Sequence, residues 1–177
     1  MSLIYVTGAP TSGKTAICGE LSARGYEAHD TDDPQHTGIG GWHNLASGKY
    51  VGGFNELEVT PEMLATHIWK LTDGTLERFR DRANERQIYL CGTLRDPQAI
   101  IEASDYVIWL ATNEETIRER FKLPREVDWG NEEWQVEQTI RVNLEREAQY
   151  TGLGAITIDS MQPLEVVVDN IIAVTTA

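Results

Sequence analysis

The sequence predicts a three-layer α/β domain, a parallel sheet with helices on both faces. Three observations carry this: strand-like apolar runs alternate with amphipathic segments, the first run leads straight into GAPTSGKT at 8–15, and 177 residues at 41% hydrophobic suit one sizeable core. Strands joined by crossover helices are buried on both faces, so they read as continuous apolar runs.

The first strand is Leu3 to Thr7 and the first helix runs over 14–24, with Gly25 suited to its C-cap. YEAHD at 26–30 makes a short second strand that ends in acid. Residues 31–59 are rich in Gly, Asp, His and Asn, too long for an ordinary connection, and read as a functional loop or small mobile subdomain. TPEMLATHIWKL at 60–71 reads as a helix with Thr60 as N-cap, Pro61 at the first helical position, and His67 and Trp69 as packing residues. A second amphipathic helix follows over 73–86, then a third strand from Gln87 to Gly92 and a short helix over 96–104. The fourth strand is Tyr106 to Ala111, and Thr112 with Glu115 forms a capping-box pattern for a helix ending near Pro124. WGNEEW at 129–134 joins a long helix near Glu132 to Tyr150, and a strand from Ala155 to Asp159 precedes a helix after Pro163. No repeat or long linker interrupts this order, so 1–177 is expected to be a single domain.

GAPTSGKT matches G-x-x-x-x-G-K-[ST], with strand and helix on the required sides. Small residues let successive backbone N–H groups curl round an oxyanion, and the helix that follows presents its positive end to the same charge. Gly8, Ala9, Pro10, Thr11, Ser12, Gly13, Lys14, Thr15 and Ala16 are therefore the expected nucleotide-binding stretch, with Lys14 on the terminal phosphates and the Thr15 hydroxyl on Mg²⁺. ATP and Mg²⁺ are the cofactors this loop implies.

Composition removes several classes. A formal charge of −13 repels nucleic acid and anionic membranes, and no apolar run approaches a membrane span, so a cytoplasmic enzyme without nucleic-acid or membrane partners is expected. Cys18 and Cys91 lack zinc or close-pair spacing and read as buried thiols. GTPases need D-x-x-G and N-K-x-D; the first is absent, and none of the four lysines follows an Asn. Motor ATPases need an apolar strand ending in acid beside the first strand, and neither IYLCGT nor YVIWLA has one. The remaining acid is DTDD at 30–33, where carboxylates two apart leave a strand on one side: Asp30 suits a magnesium water, Asp32 the proton of an acceptor hydroxyl, and Asp33 the acceptor itself.

With GAPTSGKT, DTD at the end of the second strand, ETIRERFKLPR and ITIDSMQPLEVVVDNI in place, the chain resembles the small P-loop kinases, the group of shikimate, gluconate and nucleoside monophosphate kinases. The resemblance covers almost the whole chain. It implies a P-loop NTPase fold with a five-stranded parallel sheet in the order 2-3-1-4-5, an acceptor-binding segment over about 31–85 and a mobile lid over about 120–133. Carried over, Arg120 stacks on adenine, Arg125 swings in to stabilise the transferring phosphoryl, and Asp159, Gln162 and Pro163 flank the base. The residues themselves agree, because Arg118, Arg120, Lys122 and Arg125 are a cationic cluster in an acidic chain and phosphoryl transfer needs such charge once water is excluded. Two departures stand out: the lid arginines are five apart with Pro124 between, and CGTLRD replaces the D-G-x-P-R of nucleoside monophosphate kinases.

Gly92, Thr93 and Arg95 remain suited to an acceptor anion, and Trp42, His43 and Asn44 to lining an acceptor pocket. The expected activity is transfer of the γ-phosphoryl of Mg·ATP to a small hydroxylated or phosphorylated metabolite, with Lys14, Asp32 and Arg125 catalytic, in a monomer or homodimer. A nucleoside or nucleotide kinase is the nearest alternative, and an ATP-binding regulatory module with slow hydrolysis is the alternative from another class.

Overall fold

An apolar run between crossover helices belongs in the middle of a sheet, and Leu3–Gly8 is buried at all six positions. The computed structural model describes residues 1–32, 38–53, 59–95, 97–124 and 129–176. β1 (Leu3–Gly8) leads through the phosphate loop into α1 (Lys14–Ala23) and back to β2 (Glu27–Asp30). β3 (Gly40–Asn44), β4 (Tyr50–Gly52), α2 (Pro61–Thr66) and β5 (His67–Leu71) come next, followed by α3 (Thr75–Ala83) and β6 (Ile88–Cys91). The chain closes with α4 (Gln98–Ala103), β7 (Tyr106–Ala111), α5 (Glu114–Phe121), α6 (Glu133–Gly152), β8 (Ile156–Asp159) and α7 (Leu164–Thr176).

Five of the strands form one all-parallel sheet in the order β2-β6-β1-β7-β8, the predicted 2-3-1-4-5 order. Side chains alternate across it. Leu3 and Tyr5 of β1 join Leu90, Trp109, Phe79 and Tyr150 on one face, and Ile4 and Val6 join Ile17, Leu21, Val168 and Ile171 on the other, under α1 and α7. Each fully buried Leu or Ile contributes about 1.5–3 kcal/mol relative to exposure, so two filled layers hold the strand ends in register. All five strands end at one edge, and that edge carries the phosphate loop, the acid turn after β2 and the turn after β6, where open α/β sheets bind ligands. Among the described residues, no helix is long and apolar enough to cross a membrane.

The structure departs from the sequence expectation at two places. Residues 60–71 are a helix only as far as Thr66; His67–Leu71 is a strand. Thr60 does cap this helix, accepting from Met63 N at 3.2 Å, but the Thr66 hydroxyl turns back onto the Glu62 and Met63 carbonyls and the chain extends from His67. β5 then pairs antiparallel with β3, Trp42 opposite Trp69 with ring centroids 5.3 Å apart, edge to face. A cross-strand aromatic pair of this kind outweighs the weak helix preference of HIWKL. The segment read as a loop over 31–59 accordingly contributes two strands to a small antiparallel sheet, β4-β3-β5.

The second departure is one residue in length. Asn113, not Thr112, is the N-cap of α5, accepting from Thr116 N at 2.8 Å, while the buried Thr112 hydroxyl has no hydrogen-bond partner among the described residues. Asn ranks above Thr as a cap. Asn113→Ala is therefore expected to cost about 1 kcal/mol in urea unfolding. Thr112→Val, which removes an orphaned hydroxyl at constant shape, is expected to be neutral or stabilising in the same measurement.

Candidate active site

The phosphate loop is built by close approach and backbone strain. A Cβ on Gly8 would sit 2.6 Å from Ser12 Oγ and 2.9 Å from Leu110 Cβ, so only glycine fits where β1 turns. Thr11 at φ +70° and Gly13 at φ +96° curl the chain, Ser12 N donating to Ala9 O at 3.1 Å. A β-branched residue in the left-handed region costs about 1–3 kcal/mol, strain of the kind that pre-organises a ligand cradle. Helix α1 opens behind Gly13 with no acidic residue in its first turn, and Thr15 and Ala16 are exposed at the mouth. Lys14 is folded inward, its Nζ donating to Gly8 O at 3.2 Å and Ala9 O at 2.9 Å, 4.0 Å from Asp32 Oδ2. Burial lowers its pKa, against the pull of Asp32 and Asp30.

The acid turn is bolted to the turn after β6. Asp30 accepts from Asp32 N at 2.8 Å, and Asp32 accepts from Thr93 N with both carboxylate oxygens, at 2.8 and 2.9 Å. Thr93 Oγ1 donates in turn to Gly8 O at 2.9 Å, so one residue links the acid to the phosphate loop. Desolvation raises the Asp32 pKa, and Lys14 offsets part of that rise; the side chain keeps 28% exposure. Gly92 makes the junction possible, since a Cβ there would fall 1.8 Å from Thr31 Oγ1 and 2.8 Å from Asp32 Oδ1.

Two arginines stand beside this junction. Arg95 donates to Leu64 O at 3.0 Å and Arg146, from α6, to Leu94 O at 3.3 Å. Each is half-buried, neither has a carboxylate partner among the described residues, and Arg95's pKa is lowered by burial first and then by Arg146. Arg146 is absent from the sequence expectation. Its signal was present: it lies on the α6 stripe of Asn143 and Tyr150, and no acid stands three or four residues away to pair with it.

On the far side of the loop, Arg120 donates to Thr11 O at 2.9 Å and Ser160 O at 2.7 Å, joining the loop over 8–15 to the one after β8. Burial lowers its pKa, with Asp159 opposing. Asp159 is a turn-former, accepting from Met161 N and from Gln162 Nε2, both at 2.9 Å, and the Pro163 carbonyl starts α7. Of the cationic cluster, Arg118 turns away from the loop. Arg118 bonds to the exposed carboxylates of Glu137, Glu114 and Glu133, the first two of which raise its pKa, while Arg120 alone of the two α5 arginines reaches the loop. Arg125 and Asp33 lie outside the described residues.

Trp42, His43 and Asn44 do not line one wall. Consecutive strand residues face opposite sides: Trp42 is 4% exposed in the core, and His43 lies buried on the Gly41 carbonyl and against Tyr50. Asn44 caps its own turn, accepting from Ala46 N and Ser47 N.

No protein-family model matches the chain, and no curated protein sequence matches it. Solved structures do. Shikimate kinase from Acinetobacter baumannii in complex with shikimate superposes with a TM-score of 0.59 at 19% identity, over 99% of this chain and 93% of that one. Shikimate kinase from Bacteroides thetaiotaomicron gives 0.59 at 15% identity, over 99% and 98%. A deoxyadenosine kinase from M. mycoides, with products dCMP and a flexible dCDP bound, gives 0.54 at 16%, over 98% of each chain. The fold is that of the small P-loop kinases, from end to end of the chain.

Proposed function

We propose that the protein is an ATP- and Mg²⁺-dependent phosphotransferase whose acceptor is a small hydroxylated anion. One observation carries the reading: Lys14 in the phosphate loop stands 4.0 Å from Asp32, and Thr93 locks Asp32 to the loop, so a phosphoryl donor and a proton acceptor face one cleft. Arg95 and Arg146, cations at the same edge with no carboxylate partner among the described residues, support a carboxylate or phosphate on the acceptor.

The donor set fits Mg²⁺. Thr15 and Asp30 offer oxygen only, and among the described residues no group of three His, Cys, Asp or Glu forms a cage, which suits an ion that keeps its waters and leans on phosphate oxygens. When bound, Mg²⁺ neutralises charge across the β- and γ-phosphates. Lys14 and the backbone N–H groups of Thr11, Gly13, Thr15 and Ala16 hold those phosphates. Arg120 serves the adenine side with Asp159, Gln162 and Pro163. Asp32 orients the acceptor hydroxyl and takes its proton as oxygen attacks the γ-phosphorus and ADP leaves; Gly92 leaves room for the Thr31 and Asp32 side chains, which keeps that carboxylate in place. The segment over 120–133, with Arg125, closes the cleft to water, and the unit 1–177 acts as a single cytoplasmic domain.

The test is ADP release from Mg·ATP across nucleosides, nucleoside monophosphates, sugar acids, cyclic hydroxy acids and neutral polyols. Stimulation confined to the sugar acids and cyclic hydroxy acids is expected. Stimulation by nucleosides or nucleoside monophosphates alone would favour the nucleotide-kinase reading, and uniform slow hydrolysis the regulatory module. Once an acceptor is identified, Arg146→Ala is expected to raise its KM about 10- to 100-fold, the worth of one charge-assisted hydrogen bond, with the Mg·ATP Kd unchanged within about twofold.

A further inference from the structure

We propose that Trp69 is a positioning residue that fixes the acid turn and the basic turn relative to each other; the inference rests on the kinase reading of the same cleft. Trp69 is 4% exposed and its Nε1–H donates to the Thr31 carbonyl at 3.2 Å, a buried bond spanning 38 residues. Thr31 sits between Asp30 and Asp32. The Trp69 carbonyl accepts from Arg95 N at 3.1 Å. One residue of the antiparallel sheet therefore grips both the peptide that carries the acids and the peptide that carries the arginine. The neighbouring strand is shaped for this contact: a Cβ on Gly40 would fall 2.4 Å from Thr31 O and 3.0 Å from Trp69 Nε1, in the path of the bond.

The consequence is mechanical. β2 contributes four residues at the outer edge of the parallel sheet, and among the described residues the turn beyond it is also tied by Thr31 N to Cys91 O at 2.7 Å and by the Asp32 carboxylate to Thr93 N. Removing the indole N–H frees the Thr31 carbonyl without touching any group that meets nucleotide or acceptor. A misplacement of about 1 Å at a reacting group costs on the order of 10²-fold in rate.

Trp69→Phe keeps the aromatic packing and loses the bond. Trp109→Phe removes another buried indole of the same core cluster, 1% exposed, with no bond to the acid turn, and serves as the control. Amide hydrogen exchange on ¹⁵N-labelled full-length protein, without nucleotide or acceptor, is expected to show Thr31 and Thr93 exchanging about 3- to 10-fold faster in Trp69→Phe and not in Trp109→Phe. In turnover, Trp69→Phe is expected to lower kcat about 10- to 100-fold with the Mg·ATP Kd unchanged. If Trp69→Phe does not fold, Gly40→Ala wedges the same bond apart with the indole retained and is expected to give the same pattern. Wild-type exchange at Thr31 and Thr93, equal acceleration in the control, or an unchanged kcat overturns the proposal. The exchange arm needs no acceptor, so accelerated exchange in a protein that phosphorylates nothing would sink the kinase reading and leave the mechanical link standing.

Discussion

Lys14→Ala is expected to lower acceptor-dependent ADP release about 10³-fold while leaving the fold intact. Without ligand, the Lys14 ammonium caps the Gly8 and Ala9 carbonyls, and phosphate oxygens would take over the same donors once nucleotide enters. Losing a single neutral donor to a developing oxyanion costs about 10²–10³ in rate, and a full positive charge in a water-poor loop belongs at the upper end of that range. Stability should change little. The side chain is 7% exposed, so folding already opposes its charge, and its loss removes a desolvation cost together with two hydrogen bonds. The measurements are steady-state ADP release and thermal unfolding of both proteins; a large fall in Tm would mean that the lysine is a structural cap first.

Gly92→Ala is expected to be the most damaging single-methyl change in the cleft. The added Cβ would collide with Thr31 Oγ1 at 1.8 Å and Asp32 Oδ1 at 2.8 Å, on a turn whose amide neighbours are already committed: Gly92 N to Val6 O at 3.0 Å, and Thr93 N to Asp32. Overpacking of this kind costs about 1–3 kcal/mol, read as a lower urea midpoint with an unchanged m-value. Activity should fall further than stability, because the side chain displaced is Asp32. Thr31→Ala removes the nearest atom, so the double variant is expected to recover part of both losses, a coupling that distant sites do not show.

The parallel sheet was legible because buried parallel strands are written as apolar runs: LIYV, IYLC and YVIWLA can hardly be anything else. The order of those strands came from the resemblance rather than from the runs. The antiparallel sheet was hidden for physical reasons. Its strands have three to five residues, two of them contain glycine, and HIWKL continues a segment whose apolar spacing fits a helix as well as a strand. Only the partner strand, with Trp42 facing Trp69, decides between them. The places of GAPTSGKT and DTD at the ends of β1 and β2 were readable, since a strand-like run precedes each. Arg146 was not, because a lone cation on a helix has no motif; what marks it is the missing acid on its own face and the Leu94 carbonyl it reaches across the fold. Arg118 departs from the expected cluster for the complementary reason: it has acids within a turn, Glu114 among them, and pairs with them.

The most direct measurement follows the γ-phosphoryl itself. Protein, Mg²⁺ and [γ-³²P]ATP are incubated with the anionic acceptors, and label is separated into nucleotide, inorganic phosphate and phosphorylated acceptor. Label recovered on an anionic acceptor, in proportion to the ADP formed and lost in Lys14→Ala, is the expected result. Label found only in inorganic phosphate, at the same rate with and without every acceptor, would contradict the phosphotransferase account.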